Sequence, residues 1–329
     1  MAERRRPLLP DDSGLPPDVV GTVVTVGTFD GVHRGHRDVL RRVAERASAV
    51  GLRSLLVTFE PHPLEVLRPE AAPPLLTTWP EKLEALACTG LDYVAVLPFT
   101  RTLADHEAGQ FVELVLARRF RMRELLIGHD HGMGKGRAGD ENVLRALGAS
   151  WGFRVEVIDQ VVTDDGWAVS SSAIREAVAA GDVARAAVGL GRPYAVSGPV
   201  VAGERRGRML GYPTLNVALP GGRKLLPADG VYAVRVRTRS GTHGGMVNLG
   251  GRPTFADAAR SLEAHLFDAD GDWYGERVAV DFVARLREVR RFDGPAALVA
   301  QLDRDAAAAR AALAAAAVPA DGTSVTTVG

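Results

Sequence analysis

The chain has 329 residues, with 40 basic and 40 acidic side chains, 46% hydrophobic residues and 24% charged residues. At roughly 100–200 residues per domain this length predicts two domains, and the composition excludes a mostly disordered chain. Balanced charge leaves no electrostatic footprint for a nucleic acid or an anionic membrane, so the expected partners are small molecules and no protein partner is inferred.

Residues 1–18 read as a loose tail. They begin basic, but Pro10, Asp11, Asp12 and Ser13 stand where a secretory apolar core would lie. Short apolar runs at 23–26, 54–59, 93–97, 125–127 and 155–158 predict buried strands of a parallel sheet. Helical spacing at 37–50, 81–86, 107–120 and 141–151 separates these runs. The alternation predicts βαβ units and a doubly wound, Rossmann-like α/β sheet, with ligands at the carboxyl ends of the strands. Cys88 is the single cysteine, which excludes an internal disulfide and Cys-rich zinc or iron–sulfur sites.

The pattern changes after Leu190, and Gly191-Arg-Pro193 is the natural joint. Residues 231–237 and 278–282 alternate with period two, as antiparallel strands solvated on one face do, and Asp268-Ala-Asp-Gly-Asp272 is a turn by composition. A small antiparallel β-barrel closed by a C-terminal helix over 296–315 is expected. No stretch approaches the roughly 20 apolar residues that span a bilayer, and a cytoplasmic protein is expected. The predicted domains are 19–188 and 189–317, with 1–18 and 318–329 as flexible tails.

The strongest local signal is Val26-Gly-Thr-Phe-Asp-Gly-Val-His-Arg-Gly-His36. A strand ends at Val26, Gly27 and Gly31 permit a turn, and a helix starts near His36. His33 and His36, at i and i+3, can face one ligand beside a helix N-terminus, and Gly35 lets a phosphate approach the backbone. Imidazoles and amides so placed can stabilise charge on a phosphate under attack. A bare H-x-G-H reads equally as two capping histidines on a glycine-rich turn; the preceding strand and Gly27-Thr-Phe-Asp-Gly31 favour the functional reading.

With that motif the chain resembles the HxGH nucleotidyltransferases, and specifically the bacterial bifunctional riboflavin kinase/FAD synthetase family. The resemblance extends in order through Val57-Thr-Phe-Glu-Pro-His-Pro63, Ile127-Gly-His-Asp130, Gly134-Lys-Gly-Arg-Ala-Gly139 and Val169-Ser-Ser-Ser-Ala-Ile-Arg175. In the second half it includes Gly207-Arg-Met-Leu-Gly-Tyr-Pro-Thr-Leu-Asn216, Gly230-Val-Tyr232, Asn248-Leu-Gly-Gly-Arg-Pro-Thr254 and Leu262-Glu-Ala-His265. It implies two reactions: ATP and riboflavin give FMN in the second domain, and ATP and FMN give FAD and pyrophosphate in the first. Both are transfers at phosphorus, in which positioning and charge neutralisation dominate, usually with Mg²⁺. No G-x-x-x-x-G-K-[ST] occurs, so each ATP site must be built from other turns.

For the first domain the resemblance implies that His33, His36 and Arg175 are catalytic, and that Gly27, Phe29, Asp30, Gly35, Ser171 and Ser172 bind the nucleotide. Serines ahead of a helix also read as an ordinary N-cap with an exposed arginine beyond. Asp130 and His62, each just past a strand, are the expected flavin contacts, although Glu60-Pro-His-Pro63 reads equally as a structural loop. His129-Asp-His131 has no further metal ligand at a recognisable spacing. The family more often has aromatic residues after the acidic position, where His131 and Met133 stand here. A kinase-only enzyme with an impaired adenylyltransferase domain is the alternative to the bifunctional reading. Gly134-Lys-Gly-Arg-Ala-Gly139 also matches G-x-G-x-x-G, but it does not start as a strand ends, so a glycine loop near phosphate fits better than a nicotinamide site.

In the second half, Pro213 fixes the backbone while Thr214 and Asn216 put two oxygen ligands on one side of an extended segment, suited to Mg²⁺ held with ATP phosphates. A plain Pro-Thr turn entering a strand is the bland reading. The flavokinase PTxN motif implies metal ligation, with Leu215 replacing the more usual alanine and pointing away. Glu263 lies opposite the core-facing Leu262 and Ala264, where it can accept the proton of a ribityl hydroxyl. By resemblance it is the catalytic base, and Gly203 and Arg208 approach ATP.

Overall fold

Val23 and Val24 are consecutive residues of one strand, and each finds a different core. In this computed structural model, which describes residues 14–203, 211–251, 260–316 and 326–328, the described residues pack as two compact units. The first comprises the residues up to Pro73, Lys82–Val169 and Thr326–Val328; the second comprises Pro74–Glu81 and the described residues between Ser170 and Ala316.

The first unit is a parallel sheet of β1 (Thr22–Val26), β2 (Arg53–Glu60), β3 (Tyr93–Pro98), β4 (Met122–Gly128), β5 (Arg154–Ile158) and β12 (Thr326–Val328), in the order β12-β3-β2-β1-β4-β5. Thr326–Val328 lies in the stretch expected to be a tail; it pairs parallel with Tyr93–Ala95 at the sheet edge. β-Strand side chains alternate between faces. Val24, Val26, Leu55, Val57, Leu125 and Ile127 therefore pack on Phe111, Leu116 and Phe120, while Val23, Leu56, Val94 and Leu126 pack on Leu40, Val43 and Leu86. The helical connections are α1 (Arg34–Ala49), α2 (Pro63–Leu67), α3 (Trp79–Ala87), α4 (Arg101–Ala104), α5 (Ala108–Phe111) and α6 (Glu141–Trp151). The run expected as one helix over 107–120 is α5 followed by a wider coil, Val112–Arg119, closed by Phe120 N–H donating to the Val115 carbonyl.

The second unit begins with α7 (Ser171–Ala180) and α8 (Val183–Leu190), each ended by a left-handed glycine, Gly181 and Gly191. β6 (Tyr194–Val201), β7 (Leu215–Val217), β8 (Gly230–Thr238), β9 (Gly241–Gly250), β10 (Ser261–Leu266) and β11 (Arg277–Arg287) then close an antiparallel barrel, β10-β7-β6-β11-β8-β9. Leu262, Ala264, Val247, Leu249, Val234 and Val236 fill its interior at about 0–1% exposure. The alanine-rich α9 (Pro295–Ala315) packs on Ala233, Met246 and Phe267 through Leu302, Ala306, Ala309 and Leu313. A bidentate Arg287–Asp305 pair, 2.7 Å at its closest, ties α9 to β11. Segment 74–81 belongs to this unit by strand-like pairing: the Leu75 N–H donates to the Arg223 carbonyl and the Leu225 N–H to the Leu75 carbonyl.

Candidate active sites

In the first unit the chain leaves β1 at Val26 and turns through 27–33 before α1 begins at Arg34. The turn holds Phe29 at φ 49°, Val32 at φ 41° and Gly31 at φ 81°. Left-handed backbone at a β-branched residue costs about 1–3 kcal/mol and persists only when the surroundings over-determine it. Here the constraint is burial, since Phe29 is 5% and Val32 0% exposed.

The product of that turn is a pair of stacked imidazoles. His33 and His36 ring centroids lie 3.6 Å apart at an interplanar angle of 18°, with Phe29 tilted against His36 at 4.6 Å. His33 caps α1: its Nδ1 accepts from the His36 backbone N–H at 3.2 Å. The neutral His33 ring therefore carries its proton on Nε2. Capping and function are compatible, because one nitrogen serves the helix and the other keeps a defined tautomer. Gly35 leaves space for this ring, since a Cβ there would meet the His33 imidazole at 3.1 Å and the Val169 carbonyl at 3.9 Å. Gly27 makes similar room for Phe29, whose ring would lie 2.9 Å from a Cβ.

Below this turn lies a residue to which the sequence reading gave no role. Lys82 on α3 is 7% exposed and its Nζ donates to Thr58 Oγ1 at 2.8 Å. Burial pulls its pKa from 10.5 down to about 8, with Asp30 and Glu60 working in the opposite direction. Asp30, 4% exposed, is thus a buried carboxylate facing an ammonium. Thr58 Oγ1 in turn donates to the Thr28 carbonyl at 3.3 Å. Nothing in a lone lysine on a helical stretch signals this; only the packing of α3 on β2 does.

Beyond β4, Asp130 is exposed, and Arg137 donates to its backbone carbonyl at 2.7 Å. His131 turns inward, and burial and the nearby Arg137 cation lower its pKa to about 4, so its imidazole is neutral at physiological pH. Met133 is 6% exposed and belongs to the apolar core beside α5. The two residues that replace aromatics thus face the protein interior. Gly134 and Gly139 pack on Ala108, where added Cβ atoms would stand 2.5 Å and 2.6 Å from its atoms. Close packing on α5 accounts for those two glycines without a phosphate. Among the described residues no group of three His, Cys, Asp or Glu side chains is arranged to hold a metal, His129-Asp130-His131 included. His62 caps α2, its Nδ1 accepting from the Leu64 N–H while Glu65 accepts from the His62 N–H.

In the second unit Ser170 is the N-cap of α7, its Oγ accepting from the Ala173 N–H at 3.2 Å. Ser171 and Ser172 occupy the first turn, and Arg175 Nε donates to the Pro74 carbonyl at 2.8 Å. Packing places these three residues in the second unit, α7 starting two residues after the first unit ends at Val169.

On the barrel the register decides the geometry. Glu263 pairs with Asn216 on β7 and with Asn248 on β9. Directly opposed residues share a face, so these three polar side chains form one row across three strands, outside the apolar interior set by Leu262 and Ala264. Asn248 lies in a quoted motif but carried no assigned role; its place in the row is visible only from the register. Gly203 is required by the same row, because a Cβ there would stand 1.9 Å from Asn216 Nδ2. Ser261 Oγ donates to Glu263 at 3.4 Å. Thr214 directly precedes β7. Arg208 lies outside the described residues.

A family model for FAD synthetase matches residues 16–173, and one for riboflavin kinase matches residues 190–313. The bifunctional riboflavin kinase/FMN adenylyltransferase of Pseudomonas fluorescens is 41% identical over 298 residues, covering 90% of this chain and 94% of its own. That of Escherichia coli K12 is 40% identical over 291 residues, covering 88% and 92%. A crystal structure described as a macrolide-efflux protein from Streptococcus pneumoniae superposes with a TM-score of 0.82 at 30% identity, covering 92% of this chain and 97% of that one. The efflux description belongs to that protein; among the described residues here, no helix is long and apolar enough to cross a membrane.

Proposed function

The chain belongs to the bifunctional riboflavin kinase/FMN adenylyltransferase family, and we propose here which of its residues carry each of the two reactions. It phosphorylates riboflavin with ATP to give FMN and adenylylates FMN with ATP to give FAD. The observation that carries both activities is that the two family models lie end to end on a chain aligned with 94% of a bifunctional relative. The same observation favours the bifunctional reading over the kinase-only one.

In the adenylyl transfer, assigned to residues 19–188, an FMN phosphate oxygen attacks the ATP α-phosphorus. The bond to the bridging oxygen breaks and pyrophosphate leaves. His33 presents Nε2–H with its tautomer set by the cap, and His36 stacks behind it, so both rings stabilise charge developing on the phosphates. Gly27, Phe29, Asp30 and Gly35 shape the nucleotide turn. Ser171, Ser172 and Arg175 are the proposed triphosphate ligands, supported by their motif and their place in the first turns of α7. Asp130 and His62 are the proposed flavin contacts.

In the kinase reaction, assigned to residues 189–317, Glu263 takes the proton of the flavin's ribityl hydroxyl as that oxygen bonds to the ATP γ-phosphorus and ADP leaves. Thr214 and Asn216 are hard, neutral oxygen donors, and Gly203 gives Asn216 its space, a donor set that fits Mg²⁺ shared with ATP phosphates. Such an ion would neutralise phosphate charge when bound. Gly203 and Arg208 are the proposed nucleotide contacts, and a cytoplasmic location with no nucleic-acid, membrane or protein partner completes the proposal.

Purified protein given riboflavin and MgATP should make FMN and then FAD. His36→Ala should stop FAD formation and spare FMN formation, and Glu263→Gln should do the reverse. Loss of both activities from either change in a folded protein would break the two-site assignment.

A further inference from the structure

The metal-ligand segment Thr214–Asn216 has a support that none of the motifs assigns. β10 carries Glu263 and, two residues on, His265, so both project from the same face of the strand. Glu263 is registered against Asn216. The His265 Nδ1 lies 2.8 Å from the carbonyl oxygen of Pro213, the residue before Thr214. A carbonyl only accepts, so Nδ1 carries the proton and donates it. The ring is packed edge-on by Tyr212 at 5.0 Å and by Phe267 at 5.7 Å. Tyr212 is itself anchored through its hydroxyl, which donates to Asp303 on α9. The Pro213 carbonyl is thus held by a side chain whose own rotamer is packed on two sides.

Among the described residues the β7 ladder covers only Leu215–Val217, so the peptide that leads into Thr214 lies just outside it. Thr214 and Asn216 must show their oxygens on one side while Glu263 stays beside Asn216. A peptide rotation at Pro213–Thr214, outside the β7 ladder, would turn the threonine away.

We propose that His265 is a positioning residue of the kinase site, its Nδ1–H to the Pro213 carbonyl setting the Thr214–Asn216 segment against Glu263. This rests on the reading of Thr214, Asn216 and Glu263 given above. His265 is assigned no contact with substrate or metal and acts through the backbone.

Steady-state FMN and FAD formation, measured separately on the full chain, tests it. Asparagine places its Nδ2 donor close to the position of histidine Nδ1, whereas glutamine places its donor near Nε2. H265N should keep FMN formation within about threefold of the parent. H265Q and H265F should lose about 10–100-fold in kcat/KM with MgATP, the scale of a misplaced ligand segment. Formation of FAD from FMN should stay unchanged in all three. Equal activity of H265N and H265Q, or an H265F enzyme within threefold of the parent, overturns the proposal; if H265F does not fold, the Asn/Gln pair decides. E263Q run in parallel separates the two layers. If E263Q is inactive and the His265 series is flat, only the positioning role fails, whereas an active E263Q removes the site reading and this proposal with it.

Discussion

Replacing Lys224 by methionine should destabilise the second unit, because it strands a buried carboxylate. Lys224 and Glu81 have side-chain exposures of 1% and 6%, with Nζ 2.7 Å from Oε2. Nζ also donates to the Leu76 carbonyl at 2.7 Å and lies 4.4 Å above the Tyr194 ring. Glu81 accepts further from the Thr78 and Ser197 amides at 2.8 and 2.9 Å. Burial pushes the Glu81 carboxyl upward, but Lys224 and these amides outweigh it and leave the pKa below its usual value. A depressed carboxylate stabilises the fold above its unfolded pKa and loses that contribution as pH falls through the folded one. Removing one partner of such a pair typically costs about 3–5 kcal/mol. At 1.36 kcal/mol per tenfold, amide exchange of β6 and β8 peptides should then speed up by roughly 10²–10⁴-fold.

Hydrogen exchange read by mass spectrometry resolves those peptides from the first unit's. The double variant Glu81→Gln/Lys224→Met should recover much of the loss, since no charge is left buried alone. The Lys224→Met penalty should also shrink near pH 4, where the stranded carboxylate takes up a proton. Exchange within threefold of the parent at pH 7, or a penalty that grows on acidification, would refute the reasoning. The pair also holds the segment whose Pro74 carbonyl receives the Arg175 guanidinium.

Three further outcomes follow from the site geometry. His33→Asn keeps an oxygen where Nδ1 caps α1 but removes Nε2, so stability should change by less than about 1 kcal/mol while FAD formation drops by roughly 10²–10³-fold; an unchanged rate would reduce His33 to a cap. Gly203→Ala drives a methyl into Asn216 Nδ2, 1.9 Å away, and should impair FMN formation but not adenylyl transfer, as product assays on riboflavin and on FMN would show. The Lys82 pKa falls from 10.5 to about 8 on folding, so the unfolded chain binds the extra proton between those values and stability contributed by Lys82 rises with pH across that window. Against Lys82→Met, the parent should gain about 3 kcal/mol between pH 7 and 10.5 in denaturant unfolding; a flat difference would mean that the ammonium is not desolvated.

Much of the architecture was legible because its signals are local in the chain. Apolar runs at strand length separated by helical spacing foretell a doubly wound sheet whatever packs on it, and period-two alternation with glycine punctuation foretells the barrel. His33, His36, Thr214, Asn216 and Glu263 were likewise legible as candidates, since motif spacing is local in the chain. The roles inside the motifs were less so. That His33 spends Nδ1 on a helix cap and carries its proton on Nε2 depends on α1 starting at Arg34, earlier than the spacing suggested. That Met133 joins the core follows from its loop closing on Gly139.

Hydrophobic period, glycine placement and capping act over a few positions, so the set of elements and the residue types at each turn can be read along the chain. Which distant residues share a face or a desolvated pocket depends on how the chain folds back on itself. The row of Asn216, Glu263 and Asn248 exists through strand register, and the Lys82 charge environment through burial of α3. Segment 74–81 joins the second unit by long-range pairing and one buried ion pair. Register, desolvation and ion pairing are properties of separated chain segments brought together, so no local pattern could carry them.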